Sequence, residues 1–340
     1  MSNAYRTKNS TGLINKNKKI NFSFNGHTYH GYEGDTLASA LISNGIHLIG
    51  RSFKYHRPRG FLGVGVEEPN AMVQLHEGNK SEPNIIATEV ELVEGLKAKS
   101  QNCWPSVQFD IGEVNNLLNR FFPAGFYYKT FMWPKSFWMK IYEPFIRKAA
   151  GMGVAPLQPD PDRYEHNYEH CDVLVVGSGP SGLASALAAA KNGARVILAE
   201  DKANFGGSLL TDEVTIGNMS GKEWANDTVA QLKSLPNVLL KKRSQVFGYY
   251  DHNMTVMIER VSDHQENPSK YTPRQRLHYI RAGEVIVSTG SIERPISFGN
   301  NDRPGILLAS AAKEYMTVYE TLVGKKPIIF TNNDLSLIHI

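Results

Sequence analysis

The sequence has almost no cysteine. Its two thiols, Cys103 and Cys171, stand far apart and form no Cys-x-x-Cys pair, so a disulfide framework, a dithiol redox centre and a cysteine-held metal cluster are all poorly supported. No segment has the eighteen or so uninterrupted apolar residues of a membrane helix, and the first thirty residues lack the apolar core of a signal peptide. The chain therefore reads as cytoplasmic, with no membrane partner. Excess charge is scarce as well: the net charge is +4, and much of it sits in Arg6, Lys8, Lys16, Lys18 and Lys19 among Asn and Ser. That pattern reads as a solvated basic tail over residues 1–18, and without interleaved aromatics it offers no platform for nucleic acid. His166, His170 and Cys171 approach metal-ligand spacing, yet no second ligand group accompanies them, so no metal site is assigned.

A chain of 340 residues is expected to form two or more domains. In KINFSFNGHTYHGYEGD, residues 19–35, apolar residues alternate on either side of Asn25-Gly26, the signature of a hairpin with a type I′ turn. Asp35 then stands where a helix N-cap belongs, ahead of TLASALISNG. Strand, strand, helix is how a small β-grasp domain begins, and strand-like runs around NAMVQLH and IIATEVELVEG would close its sheet, giving a domain over 19–100. In plant-type ferredoxins the loop after this helix supplies the cysteines of a [2Fe–2S] cluster. Here the loop, RSFKYHRPRGFLGVGVEEPN, has none, which leaves the domain as a folding and docking element. Residues 101–165 read as an aromatic-rich connector, since FFPAGFYYKTFMWPKSFW places nine aromatic residues in eighteen positions. Its interleaved Lys and Pro exclude a spanning helix, and its rings are expected to pack on neighbouring domains or form an interface.

The strongest signal begins at Asp172. DVLVV is a short apolar strand, followed by Gly177-Ser178-Gly179-Pro180-Ser181-Gly182 and the helical LASALAAAKNG. Gly177 permits the tight turn out of the strand, Gly179 lets a pyrophosphate approach the backbone, and Gly182 lets helix and strand pack closely. The helix N-terminus directs its N–H groups and positive dipole end at the phosphates. RVILAE then forms a second strand ending on Glu200, eighteen positions after Gly182, where a carboxylate accepts hydrogen bonds from a ribose and repels a 2′-phosphate. NAD or FAD is thus favoured over NADP. Asp201 extends the acidic end of that strand, Gly206-Gly207-Ser208 follow the acid, and GEVIVSTGS is a further buried strand that ends at Ser288-Thr289-Gly290 beside the dinucleotide. The fold class is α/β: a Rossmann-like dinucleotide-binding domain over 166–324, preceded by a ferredoxin-like β-grasp. No cysteine pair, poised histidine or paired carboxylates accompany the cradle, so no catalytic residue is assigned. KKPIIFTNND, from residue 325, looks like the first strand of a second dinucleotide fold. The last six residues are too few to complete it, so the sequence is expected to be part of a longer protein.

The cysteine-free β-grasp domain with HRPRGFLGVGVEEPNAMV, the WPS and AGFYYKTFMWP segments, the glycine cradle and NDRPGILLA together resemble the α subunits of heterotetrameric sarcosine oxidases, from about residue 19 onward. The resemblance implies a scaffold for NAD, with FAD the alternative in the same cradle. It also implies a β subunit carrying FAD and a covalent FMN at the α–β boundary, and small γ and δ subunits. The implied activity is oxidation of sarcosine to glycine and hydrogen peroxide, the one-carbon unit passing to tetrahydrofolate or leaving as formaldehyde. Carried over, Gly177, Gly179, Gly182 and Glu200 match the family's dinucleotide site, and Gly206, Gly207 and Gly290 its flanking turns. The family's folate-binding C-terminal half is absent, and the ending DLSLIHI departs from the family's continuation after TNND. Alternatives are an α subunit of an opine, proline or amine dehydrogenase, a stand-alone FAD- or NAD-dependent oxidoreductase, and a non-catalytic assembly module.

Overall fold

The computed structural model describes residues 5–8, 12–123, 125–151 and 153–332, and the chain divides into two compact units, Asp162–Ile292 and Met1–Pro161 with Glu293–Ile340. In the first unit, β1 (Asn15–Phe24) and β2 (His27–Glu33) form the expected hairpin. Asn25 and Gly26 take φ of 52° and 80° at its turn. Alternation along β1 turns Ile20, Phe22 and Phe24 inward, as a period of two requires. Helix α1 (Leu37–Ser43) is buried at every position. Its N-cap is Thr36 rather than Asp35: the Thr36 hydroxyl accepts from Ser39 N at 3.1 Å, and Ser39 Oγ accepts from Thr36 N at 3.0 Å. Asp35 instead accepts from Ser39 Oγ at 2.6 Å and from Tyr32 N at 2.9 Å. It also pairs with Arg6 at 2.7 Å. The Arg6 side chain is only 6% exposed, and Lys16 pairs with the buried Glu320. The expected basic tail is in these two places part of the fold, because a buried carboxylate needs a cation beside it.

A short ladder of β3 (Gly50–Arg51) with β4 (Pro58–Arg59) opens the loop after α1. Beyond it lie β5 (Met72–Leu75), β6 (Glu82–Ile86) and β7 (Lys97–Ser100). The sheet order is β2-β1-β7-β5-β6, with β7 parallel to β1, which is the β-grasp arrangement. The connector forms short helices α2 (Val114–Leu117), α3 (Phe126–Thr130) and α4 (Glu143–Ala150). Some of its rings pack on one another, as in Phe122 with Phe126 and Phe131 with Tyr142, centroids 4.9 and 5.1 Å apart. Trp133 stays 83% exposed.

The second unit begins with β8 (Tyr164–Val176), α5 (Pro180–Lys191) and β9 (Val196–Ala199). A small ladder of β10 (Thr215–Ile216) and β11 (Met219–Ser220) precedes α6 (Gly221–Ser234), started by a capping box between Ser220 and Glu223. Then follow β12 (Val238–Lys241), β13 (Ser244–Tyr250), β14 (Met254–Arg260) and β15 (Gln275–Val287). The six-stranded sheet runs β12-β9-β8-β15-β14-β13, the first four mutually parallel. Alternation sorts its side chains into two cores. Val175, Val196 and Leu198 meet Leu183, Ala186, Ala190, Ala225 and Leu232 from α5 and α6, each fully buried leucine contributing about 1.5–3 kcal/mol. Leu174, Ile197 and Ala199 face the other way, onto Cys171, Met257, Ile280 and Ala282. Burial pushes the Cys171 thiol up to about 11, so it serves as a small apolar side chain. His166 stacks on Tyr279 at 5.9 Å, and among the described residues no group of three His, Cys, Asp or Glu side chains could hold a metal ion.

After Ile292 the chain belongs to the first unit, not to the dinucleotide domain expected to run to residue 324. Arg57 and Arg59 both bind Asp302. The fully buried Tyr315 of α7 (Ala309–Thr317) donates to the Gly63 carbonyl at 3.0 Å. The strand expected from residue 325 does not form over 325–332, where Ile328 is 95% exposed. A strand needs a hydrogen-bonded neighbour, and among the described residues no strand is assigned that pairs with this segment. Residues 333–340 lie outside the described residues. Among those described, no helix is long and apolar enough to cross a membrane.

One buried ionic network ties the second unit together. His278, with no exposed side-chain surface, has Nδ1 3.0 Å from Glu169 Oε1 and Nε2 2.8 Å from Glu259 Oε2. Two carboxylates are both served only when both ring nitrogens carry a proton. Lys241 adds a second cation at 3.0 Å from Glu169, and Arg276 bridges Glu165 and Glu259 at 2.9 and 3.4 Å. The His278 hydrogen bond, with Lys241, draws the Glu169 carboxyl down to about 2 against the effect of burial. Burial opposes the charge on His278, but its hydrogen bonds to the two glutamates outweigh it and raise its pKa. The depressed Glu169 contributes stability above about pH 4.5 that is lost as pH falls toward 2, a contribution of at most about 3 kcal/mol. The raised His278 contributes stability below about pH 6.5 that is lost as pH rises through its folded value. Urea unfolding across pH 2–9 is expected to show greatest stability between these limits. The raised Glu200 carboxyl, near 7, adds its own decline as pH rises toward 7. His278→Gln should therefore reduce, not abolish, the decline on the alkaline side, and an unchanged slope in the variant would contradict the assignment.

Candidate dinucleotide site

Neighbouring backbone excludes side chains at two of the three cradle glycines: the turn after β15 at Gly177, and the end of β8 at Gly182. Gly177 has φ +94°, and a Cβ there would lie 2.4 Å from the Ser288 carbonyl oxygen. A Cβ on Gly182 would lie 2.0 Å from the Gly177 carbonyl oxygen, far inside van der Waals contact. Gly179 differs, because a Cβ there would meet nothing within 4 Å. Its lack of a side chain serves no contact within the protein and leaves an open face at the mouth of the helix. Gly179 is the N-cap and Pro180 opens α5; Leu183 N is bonded to the Gly179 carbonyl at 2.9 Å. The N–H groups of Ser181 and Gly182 precede that first bond and have no intrahelical acceptor. They stand at the positive end of the helix dipole.

Ser178 lies between these glycines, but its side chain turns inward and is buried. Its N–H donates to Glu200 Oε2 at 3.0 Å, and its hydroxyl donates to the same oxygen. The hydroxyl oxygen accepts from Gly206 N at 3.1 Å. One serine thus joins the cradle loop, the tip of β9 and the turn that follows. Glu200 Oε1 accepts from Lys202 N at 3.0 Å. The Glu200 backbone is fixed by its N–H to Lys241 O and its carbonyl to Ser244 N, both 2.8 Å. Burial, and then neighbouring Asp201, push the Glu200 carboxyl up to about 7.

The other residues singled out in the sequence gather unequally. Gly206 and Gly207 lie against the cradle, and a Cβ on Gly207 would stand 2.9 Å from Gly179 Cα. Ser208 is exposed, and its carbonyl accepts from Thr211 N and Asp212 N within a 3-10 turn. Thr289 and Gly290 are exposed after Ser288, whose N–H binds the Val176 carbonyl at 2.8 Å. Asp201 is half-buried, and its carbonyl accepts from Arg260 at 2.7 Å. The linear pattern did not single out Arg260 or Lys202. Arg260 lies 59 positions from Asp201 and joins it only through the curl of the antiparallel strands, while Lys202 acts through a main-chain N–H that its residue type does not reveal.

Both units of the chain are similar to known proteins. Residues 172–254 match the family described as FAD dependent oxidoreductase, and residues 17–103 that described as 2Fe-2S iron-sulfur cluster binding domain. The chain is 52% identical to the sarcosine oxidase subunit alpha of Rhizobium meliloti (strain 1021), over 95% of its own length and 33% of that protein. It is 34% identical to the sarcosine oxidase subunit alpha of Corynebacterium sp. (strain P-1), over 94% of its length and 29% of that protein. The chain thus spans about a third of the length of these relatives, and the resemblance carried by its motifs is borne out. Among solved structures, the L-proline dehydrogenase of P. horikoshii superposes with a TM-score of 0.58 at 19% identity. That match covers 93% of this chain and 50% of that one, a likeness of fold.

The three glycines separate cleanly by substitution. Gly179→Val is expected to leave the thermal midpoint within about 2 °C, as surface changes do, yet weaken dinucleotide binding more than about tenfold by filling the open face. Gly182→Ala should lower both, because its Cβ collides with backbone. Calorimetric titration with NAD and FAD checks both, and Gly179→Val binding as well as the parent would exclude the open face as the phosphate position. Because the Glu200 carboxyl is held near 7, wild-type affinity should weaken between pH 8 and 6, whereas Glu200→Gln should bind more weakly and show no such step.

Proposed function

We propose that this chain is the dinucleotide-binding scaffold of a heteromeric sarcosine oxidase α subunit. The observation that carries the reading is the likeness to sarcosine oxidase α subunits along both units of the chain, not over the cradle alone. The residues present fit an adenine dinucleotide. Gly179 leaves room for a diphosphate at the open helix mouth, and the N–H groups of Ser181 and Gly182 would donate to it. Glu200, anchored by Ser178 and Lys202, would accept from ribose hydroxyls. Gly206 and Gly207 would border the diphosphate and Asp201 the adenosine end; Thr289 and Gly290 would flank the cradle beyond β15. Gly177, Ser178 and Pro180 would hold the bend in shape.

NAD is the dinucleotide that the resemblance implies, and FAD is the second reading, favoured by the description of the matched family. When bound, either one supplies a ring that accepts a hydride. In the complex, sarcosine would be oxidised at FAD on a β subunit, with covalent FMN at the α–β boundary and γ and δ subunits completing a cytoplasmic assembly. Glycine, hydrogen peroxide and formaldehyde or methylene-tetrahydrofolate would be the products. This chain's part is to bind and orient the dinucleotide and to order its partners.

Mass spectrometry of ligand released from the denatured chain should identify NAD, or FAD under the second reading. Co-expression with a β subunit should give sarcosine-dependent peroxide formation that the chain alone lacks. A chain that releases and binds neither dinucleotide, or a complex inert toward sarcosine, would remove the proposal.

A further inference from the structure

The loop between β4 and β5 is closed around two adjacent carboxylates. Glu68 is 3% exposed. Its Oε2 accepts from the backbone N–H groups of Leu62 and Gly63 at 2.6 and 2.7 Å, and its Oε1 from those of Asn70 and Ala71 at 2.6 and 3.0 Å. Glu67 Oε1 accepts from Val64 N at 2.7 Å and Gly65 N at 3.1 Å. The N–H groups thus converge inward, while outward carbonyls are clamped by other elements. Thr88 Oγ donates to Gly65 O at 2.8 Å, and the Tyr315 hydroxyl to Gly63 O at 3.0 Å. A Cβ on Gly63 would stand 2.6 Å from Glu67 Oε1, so the loop and its carboxylates are built to each other's shape.

In a cluster-binding β-grasp domain the loop after the helix encloses an anionic iron–sulfur centre, held by four thiolates and by N–H groups aimed at its sulfurs. The residues here do not fit that group. From Lys19 to Ser100 there is no cysteine, and Cys103 is a single thiol whose pKa burial raises. The inward N–H groups nevertheless remain, and buried donors of this kind need acceptors. Burial pushes the Glu68 carboxyl up, and its four N–H partners pull the other way. All four are donors, so an ionised carboxylate satisfies every contact whereas a carboxylic O–H would face an N–H.

We propose that Glu67 and Glu68 are the internal replacement for the cluster anion, so that this domain keeps a ferredoxin-like loop with no iron and carries no electrons. Glu68 is the principal anion and Glu67 the second. Neither touches substrate or cofactor; both are positioning residues acting on the loop.

The test uses the full chain. Wild type from iron-supplemented cells should contain no iron or acid-labile sulfide. Glu68→Ala should lower the thermal midpoint by roughly 6–12 °C. Formate should then recover a substantial part of that loss along a saturating curve, while leaving the wild type unmoved. Sodium chloride at the same ionic strength should recover none of it. Glu68→Gln, similar in shape but presenting an amide donor to the loop, should be destabilised and insensitive to formate. If Glu68→Ala fails to fold, Glu67→Ala, which releases two N–H groups rather than four, carries the same formate test. A bound [2Fe–2S] cluster in wild type, an unchanged midpoint in Glu68→Ala, or absence of formate recovery in both alanine variants would overturn the proposal.

Discussion

The second unit depends on how near α5 can come to the strand before it. With a Gly182 Cβ position only 2.0 Å from the Gly177 carbonyl, the helix begins where any side chain would forbid it. This approach packs Leu183 and Ala186 directly onto Val175 and Leu198. The same approach leaves the first turn of the helix with its N–H groups facing outward. Core packing and an anion-ready helix mouth are thus two results of one steric allowance. A slightly wider crossing would loosen the core and move the mouth away from Glu200.

Buried carboxylates recur through the chain, and each is kept by a different set of donors. Glu200 is held by one serine and one backbone N–H, with Asp201 beside it, so its charge is weakly supported and its pKa climbs to about 7. Glu169 faces His278 and Lys241, full cations, and falls to about 2. Glu68 relies on neutral amide N–H groups alone. The contrast follows from depth and surroundings together. Burial is the leading cause of the raised values of Glu68 and Glu200, whereas Glu169 is only half-buried and faces cations, which favour the charged form more strongly than amide dipoles do. An acid left with incomplete support is the one able to gain from a further donor, and Glu200, at the tip of β9, is that acid.

What could be read from the sequence was what short-range geometry dictates. The glycine spacing, the Asn25-Gly26 hairpin, the alternation in β1 and the apolar run of β9 are local, and the structure reproduces them. The unread parts depend on partners distant along the chain. Arg6 looked solvated because nothing near it is acidic, and its partner Asp35 lies 29 positions on. Residues 293–324 looked like a continuation of the dinucleotide domain, whereas Asp302 is bound by arginines about 245 positions earlier. Ser178 was grouped with the cofactor-binding cradle from its place between glycines, but its hydroxyl is taken by Glu200 and Gly206, 22 and 28 positions away. The apolar KKPIIF run carried a strand's local preference without a neighbouring strand to complete it.

Open and closed positions within the cradle have a chemical meaning beyond shape. A glycine enforced by neighbouring backbone, as at Gly177 and Gly182, would be required by the fold even if nothing ever bound there. Gly179 is under no such constraint. A side chain at that position would restrict the unfolded backbone more than glycine does and so lower the entropy lost on folding, so folding alone gives no reason for its absence. The missing side chain is explained when a group from outside the chain comes to the helix mouth. Since the N–H groups of Ser181 and Gly182 and the helix dipole all favour negative charge there, on the proposed reading that group would be an anion, joined to a part whose hydroxyls Glu200 would accept from. A diphosphate joined to a ribose meets both requirements in one molecule, whereas a free phosphate meets only the first.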